Sequence, residues 1–183
     1  MDLLAAIDSR ASALKLSEPG PSREHLELIM RAGARAPDHG RLRPWRFVVL
    51  EGAARDKLGA ELARLSLAKF PQSTPEQLDG ERRKVLRAPT IVVAAAHVTP
   101  GKIPEVEQIA AVAAGVENMV LAAQALGYGA MWKTGAAAYD PQAKAALGLS
   151  AADHIVAFLY LGTTTVAGTA TPPSLDGIVS WMQ

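Results

Sequence analysis

The sequence predicts an α/β or α+β domain, on three observations. Helical spacings alternate with at least four short apolar or β-branched runs. Two of those runs, Pro89 to Val98 and Ile155 to Gly162, are apolar at nearly every position, and one apolar helical segment, Glu105 to Leu126, is long enough to cross a domain. Continuous apolar strands are buried on both faces, which requires helices on each side of a sheet. At about 100–200 residues per domain, 183 residues make one domain with a sizeable core. Neither an internal repeat nor an interdomain linker interrupts it.

Taken in order, residues 2–8 read as a short helix, followed by a polar loop from Ser9 to Pro21. Ser22 is a candidate N-cap for a helix in which Leu26, Ile29, Met30 and Gly33 recur at i, i+3, i+4 and i+7. Ala36 to Pro44, with two prolines and a glycine, is loop, and Trp45 to Glu51 is a strand between breakers. Helical patterns cover about 53–68 and 75–87, separated by the turn-like FPQSTP, and Pro89 to Val98 is a buried strand. The helix from about Glu105 to Leu126 would span roughly 33 Å at 1.5 Å per residue. It is apolar nearly all round, so it belongs in the centre or at an interface, with Gly127 ending it. Tyr128 to Thr134 is a strand, Asp140-Pro141 caps a short helix, and Ile155 to Gly162 is a second buried strand. The last twenty residues are rich in Thr, Pro and Gly and close on IVSWMQ.

Composition excludes several classes. A chain that is 49% hydrophobic and 20% charged, with net charge +1, does not suit disorder and has no global pull toward nucleic acid or an anionic membrane. Zero cysteine removes disulfide frameworks, thiolate metal sites, iron–sulfur clusters and cysteine nucleophiles together. The N-terminus starts acidic and meets Arg10 too soon for a signal peptide. The long apolar segment is broken by Glu117, Asn118 and Gln124 and is mostly alanine, which favours a buried helix over a membrane span and makes the cytoplasm the expected location. The 35 alanines against 9 aromatics imply elements that approach closely backbone to backbone.

The net charge hides a local excess. Residues 31–46 contain Arg31, Arg35, Arg41, Arg43 and Arg46 against one acid, Asp38, with His39 beside it. That window is formally +4, leaving −3 for the rest. Such a loop suits a phosphate or an anionic ring edge, or it is a solvated loop with ordinary ion pairs. A nucleic-acid surface fits less well, since only Trp45 is interleaved and the remainder is acidic. Two smaller groups, Arg10 with Ser12 and Lys15, and Lys133-Thr134-Gly135, also sit at element ends, where backbone N–H groups are free to help hold an anion.

Other chemistry is absent from the pattern. No Gly-x-x-x-x-Gly-Lys, no Gly-x-Gly-x-x-Gly after a strand and no Gly-x-Ser-x-Gly elbow is present. His25, His39, His97 and His154 lack metal-ligand spacing, and His25 and His154 are expected to be structural. Glu105 and Glu107 read as helix N-terminal charge. Anion binders and apolar walls without a nucleophile or acid–base set suit chemistry carried by a cofactor.

RASALKL, RAGARAPDHGRLRPWRFVVLEG, RAPTIVV, AAGVENMVLAAQALGYGAMWKTG and IVAFLYLGT, in that order, resemble the FMN-dependent NAD(P)H nitroreductase family, and the APDH loop before Pro-Trp resembles its small, YdjA-like bacterial subgroup. The resemblance covers nearly the whole chain. It implies an α+β fold with a mixed central sheet flanked by helices, and a homodimer paired through long helices with FMN shared between subunits. The C-terminal tail, about 163–183, would extend toward the partner. It further implies that NAD(P)H reduces the flavin and that a nitroaromatic or quinone-like acceptor takes the electrons in a ping-pong cycle, with no catalytic side chain beyond the flavin. By matching position, Arg10 and Ser12 would hold the FMN phosphate and ribityl end, with Lys133 and Thr134 closing on the same phosphate. Met131 and Trp132 would line the flavin, Arg35 and His39 would reach it from the partner, and Lys15 would face its N1–C2=O edge. Ala11 stands where an arginine is frequent, Leu42-Arg43 replaces a polar residue and glutamine, and Lys133 replaces an arginine. The rival readings are a same-fold flavoenzyme that dehydrogenates a substrate or fragments the flavin, and a non-catalytic module that binds an anionic partner through residues 31–46.

Overall fold

The computed structural model describes residues 2–166, 168–171 and 173–182; Gln183, the last residue of the IVSWMQ extension, lies outside them. Among the described residues the helices are α1 (Leu3–Ser9), α2 (Arg23–Gly33), α3 (Ala53–Lys69), α4 (Pro75–Arg83), α5 (Glu105–Ala125) and α6 (Pro141–Ala146). The strands are β1 (Lys15–Ser17), β2 (Trp45–Glu51), β3 (Thr90–Ala96), β4 (Gly129–Lys133) and β5 (His154–Val166).

Local chemistry explains the boundaries. The Ser22 hydroxyl accepts from the His25 N–H at 3.2 Å and starts α2. Thr74 and Gln77 form a reciprocal capping box on α4, and the Asp140 carboxylate accepts from the Gln142 and Ala143 amides to start α6. Gly127 follows α5 at φ +86°, a conformation open to glycine, and turns the chain into β4.

β3 pairs with β2 on one side and β5 on the other; β4 pairs with the opposite edge of β5 over Phe158–Gly162, and β1 pairs with the far end of β5. The α+β class is as expected, but the mixed sheet is not: every pairing among the described residues is antiparallel. The physical reason lies in the crossovers. The chain leaves β2 at Glu51, passes through α3 and α4, and re-enters β3 at Thr90, directly opposite Glu51, so the two helices make a hairpin-like return. β5 also runs on past Gly162 to Val166, because β1 supplies hydrogen-bonding partners for Thr163, Thr164 and Val166.

One face of the sheet carries Ile91, Val93, Phe158 and Tyr160 against Leu58 of α3, Val85 and Leu147. The other carries Val92, Leu159 and Leu161 against Leu26 and Ile29 of α2 and Met119 and Ala123 of α5. There α2 and α5 nearly touch: a Cβ at Gly115 would lie 2.8 Å from the Gly33 carbonyl oxygen. Among the described residues α5 alone is long and apolar enough to cross a membrane by length and composition; it packs on α2, β3, β4 and β5. Its outer stripe, including Val106, Ala110 and Ala114, is exposed. Residues 168–171 and 173–182 add no helix or strand, and Trp181 and Met182 are 89% and 98% exposed.

Candidate functional site

The first basic group follows α1. Extended backbone at Arg10 ends that helix, and the Ala13 amide donates to the Ala130 carbonyl at 3.0 Å, laying residues 10–12 beside the start of β4. The Arg10 guanidinium sits 3.6 Å from Glu117 on α5, with both side chains near half-exposed. An ion pair this open is a weak hold, leaving the guanidinium available to another anion. Ser12 is exposed, and Ala11 lines a small cavity of about 190 Å³ with Ser9, Gln124 and Thr164. Lys15 opens β1 with its side chain exposed.

The second group lies at the end of β4. Met131 is buried between the sheet and the α3 layer, so it supports the strand from below. Trp132 is 39% exposed, and its indole N–H donates to the Val156 carbonyl at 3.0 Å. Lys133 is half-buried, while Thr134 and Gly135 are exposed, the latter at φ +93°. Thr134 and Gly135 form the rim of a cleft of about 400 Å³ that also takes in Phe70, Lys84, Tyr139 and Tyr160. Burial pushes the Tyr160 phenol above its ordinary pKa, against a smaller opposing pull from Arg87.

The third group is the arginine loop. Residues 34–44 leave α2, make a tight turn at His39–Arg41 and enter β2. The Asp38 carboxylate accepts from the Arg43 amide at 2.6 Å, and the His39 imidazole Nδ1 lies 2.5 Å from Glu107 in the first turn of α5. Arg35, Asp38, Arg41, Arg43 and Trp45 surround an open cleft of about 450 Å³.

These groups do not all meet within one chain. Arg10 is anchored at Glu117 and His39 at Glu107, ten residues of helix apart, or about 15 Å of rise. Arg10 and Lys133 belong to neighbouring segments: the stretch after Arg10 bonds β4 at Ala130, and Lys133 ends that strand.

Reading the sequence alone missed the partners. Lys84, Phe70 and Tyr160 line the β4 cleft although no spacing links them to Thr134. The two glutamates taken as helix N-terminal charge each hold a histidine: Glu107 holds His39, and Glu105 lies 3.0 Å from His154. His25 is structural as expected, with Nδ1 2.8 Å from the Tyr128 hydroxyl. His97 pairs with Asp153 at 2.7 Å. Burial opposes ionisation of Asp153, but hydrogen bonds from the Ser150 backbone, His97 and the Ser150 side chain outweigh it and hold the carboxyl below its ordinary value.

A model of the nitroreductase family matches residues 7–163. The chain belongs to the nitroreductase family. The Escherichia coli K12 protein named "Putative NAD(P)H nitroreductase YdjA" is 40% identical over 164 residues, covering 89% of this chain and 88% of that protein. This likeness puts the chain in the YdjA-like subgroup that the APDH loop suggested. A nitroreductase-like family protein from Bacillus cereus shares the fold at a TM-score of 0.84 and 22% identity, over 100% of this chain and 97% of that one. A Desulfovibrio desulfuricans protein described as a nitroreductase in complex with FMN aligns at a TM-score of 0.76 and 25% identity, over 98% and 96% of the two chains.

Proposed function

We propose that this nitroreductase-family oxidoreductase uses FMN and NAD(P)H to reduce nitroaromatic or quinone-like acceptors in a ping-pong cycle, as a cytoplasmic homodimer. The observation that carries this reading is the placement of the basic groups along α5. The Arg10 and His39 anchors are about 15 Å apart in one chain. They flank an exposed stripe that contains Ala110 and Ala114. Two α5 helices packed antiparallel through that stripe, with the two-fold axis midway between Glu107 and Glu117, bring Arg10 beside the partner subunit's His39. Small residues on the stripe permit the close approach, and a symmetric pair closes the assembly.

The residues fit FMN by the chemistry of their donors. Arg10, Ser12 and Lys133 offer charged and hydroxyl donors for a phosphate dianion, and neither Arg10 nor Ser12 is buried. Trp132, Thr134 and Gly135 present an open strand end for a flat ring, with Met131 packed behind. Lys15 supplies a cation on the β1 side, and the partner subunit's Arg35 and the partner subunit's His39 supply two more donors. FMN held by these residues would supply the hydride and electron transfer between nicotinamide and acceptor. The chain itself fixes positions: Glu107 holds Nδ1 of His39, which leaves Nε2 to face outward, and the Trp132 indole is locked by Val156.

The test is a visible spectrum of the purified protein before and after NADPH. Flavin bands that bleach with NADPH and return with a nitroaromatic support the reading; a colourless protein that refuses added FMN overturns it. Mixing Arg10→Ala with Arg35→Ala subunits restores some intact sites if each pocket draws on two chains.

A further inference from the structure

The arginine loop holds more positive charge than flavin binding accounts for. Among the described residues Arg10, Arg23, Arg64 and Arg83 all have carboxylate partners, and Arg46 and Arg55 donate to backbone carbonyls. Arg31, Arg35, Arg41, Arg43, Arg82 and Arg87 have no ion pair or side-chain hydrogen bond among the described residues, and of these six Arg35, Arg41 and Arg43 line one cleft of about 450 Å³. Two of them also sit on costly backbone. Arg41 has φ +55° and Arg43 has φ +50°, in the left-handed region that favours glycine or asparagine. Gly40, at φ +73°, is the residue such a turn would ordinarily use. A chain that keeps arginine at two left-handed positions and leaves both head groups unpaired is holding them for something outside itself.

The charges around the cleft define the ligand. Three guanidiniums face one carboxylate, Asp38, which is already engaged by the Arg43 amide; His39 nearby is held by Glu107. The excess matches a phosphate monoester dianion, which guanidinium forks grip in paired hydrogen bonds. Trp45, half-buried on the same wall, offers an aromatic face for a purine. We infer that the Arg41, Arg43 and Trp45 side of this cleft binds the 2′-phosphoadenosine end of the electron donor, so that the enzyme selects NADPH over NADH. The inference rests on the proposed NAD(P)H activity and adds a subsite to it: Arg35 stays with the flavin reading, and Arg41 and Arg43 carry the new subsite.

The decisive variant is Arg41→Asn with Arg43→Asn, because asparagine tolerates the left-handed backbone and keeps the turn intact. On FMN-loaded protein, calorimetric titration with adenosine 2′,5′-bisphosphate should show binding that weakens about tenfold for each arginine removed. Binding of adenosine 5′-diphosphate should change far less. The ratio of kcat/KM for NADPH to that for NADH should fall by the same factor. A parallel loss with both dinucleotides, an unchanged ratio, or loss of FMN in step with loss of NADPH use would each overturn the assignment. If the protein oxidises neither dinucleotide, the activity reading has failed, while the bisphosphate titration still decides the subsite.

Discussion

β3 and β4 flank the same strand, β5, and have opposite fates. All seven residues of β3 are buried, and none carries a charge. β4 buries Gly129 to Met131 and then surfaces, exposing Trp132, half-exposing Lys133 and passing on to Thr134 and Gly135. A strand with helices on both faces and strands on both edges has no free group to offer a ligand. An edge strand that outruns its cover has both stability to lend and donors to present. In the proposed reading, stability and chemistry are therefore divided between neighbours of one strand, about two strand spacings apart.

This division can be broken at its strong end first. Ile91→Ala in β3 should lower unfolding free energy by about 2–5 kcal/mol, since the side chain is fully buried and the surrounding strands cannot collapse into the gap. A urea titration with unchanged slope and a lower midpoint is the expected record. Arg10→Ala, beside the start of β4, should leave the urea midpoint nearly in place but weaken FMN retention by about 1.5–3 kcal/mol. Unchanged flavin occupancy after dialysis would show that the phosphate is held elsewhere.

A third variant probes the end of the sheet where β3 hands over to His97. Asp153, 5% exposed, is held ionised by Ser150 and His97, so its folded pKa lies below its unfolded one. Its contribution is present above the unfolded carboxylate value, near 3.9 by ordinary reference, and is lost as pH falls through the lower folded value. Asp153→Asn should therefore cost about 1–2 kcal/mol at neutral pH and progressively less in acid. Equal destabilisation at pH 7 and pH 3 would contradict this. The smallest effect belongs to β4 itself: Trp132→Phe removes the hydrogen bond to Val156 at a partly wet site, worth about 0.5 kcal/mol by thermal melting.

Pattern carried most of the fold. β2 starts and ends where its breakers put it, α5 stops one residue short of the expected Leu126, and Ser22 caps α2. What escaped depends on distant chain. β1 is three residues of polar loop that become a strand only because β5 offers a free edge. The Thr-rich end of β5 reads as tail for the same reason. The helix expected to reach 87 ends at Arg83 and tightens into a turn at Lys84–Leu86. At the candidate site, single residues were legible as charge at element ends, but their anchors were not. Glu107 is 68 residues from His39, and Glu117 is more than a hundred from Arg10, so no local period could pair them.

The arginine loop is fixed at three points of its own chain. Asn118 of α5 donates to the Ala32 carbonyl at 3.3 Å just before the loop, Glu107 takes His39 in the middle, and the His97 amide donates to Pro44 at 2.7 Å at its end. Its shape is thus set before a second chain arrives. In the proposed pair, each subunit offers the other a ready-made half-site, and little further ordering is required on association. Less ordering entropy would then oppose the proposed association. A change at Asn118 would release the Ala32 carbonyl and be felt as looser assembly in the proposed pair.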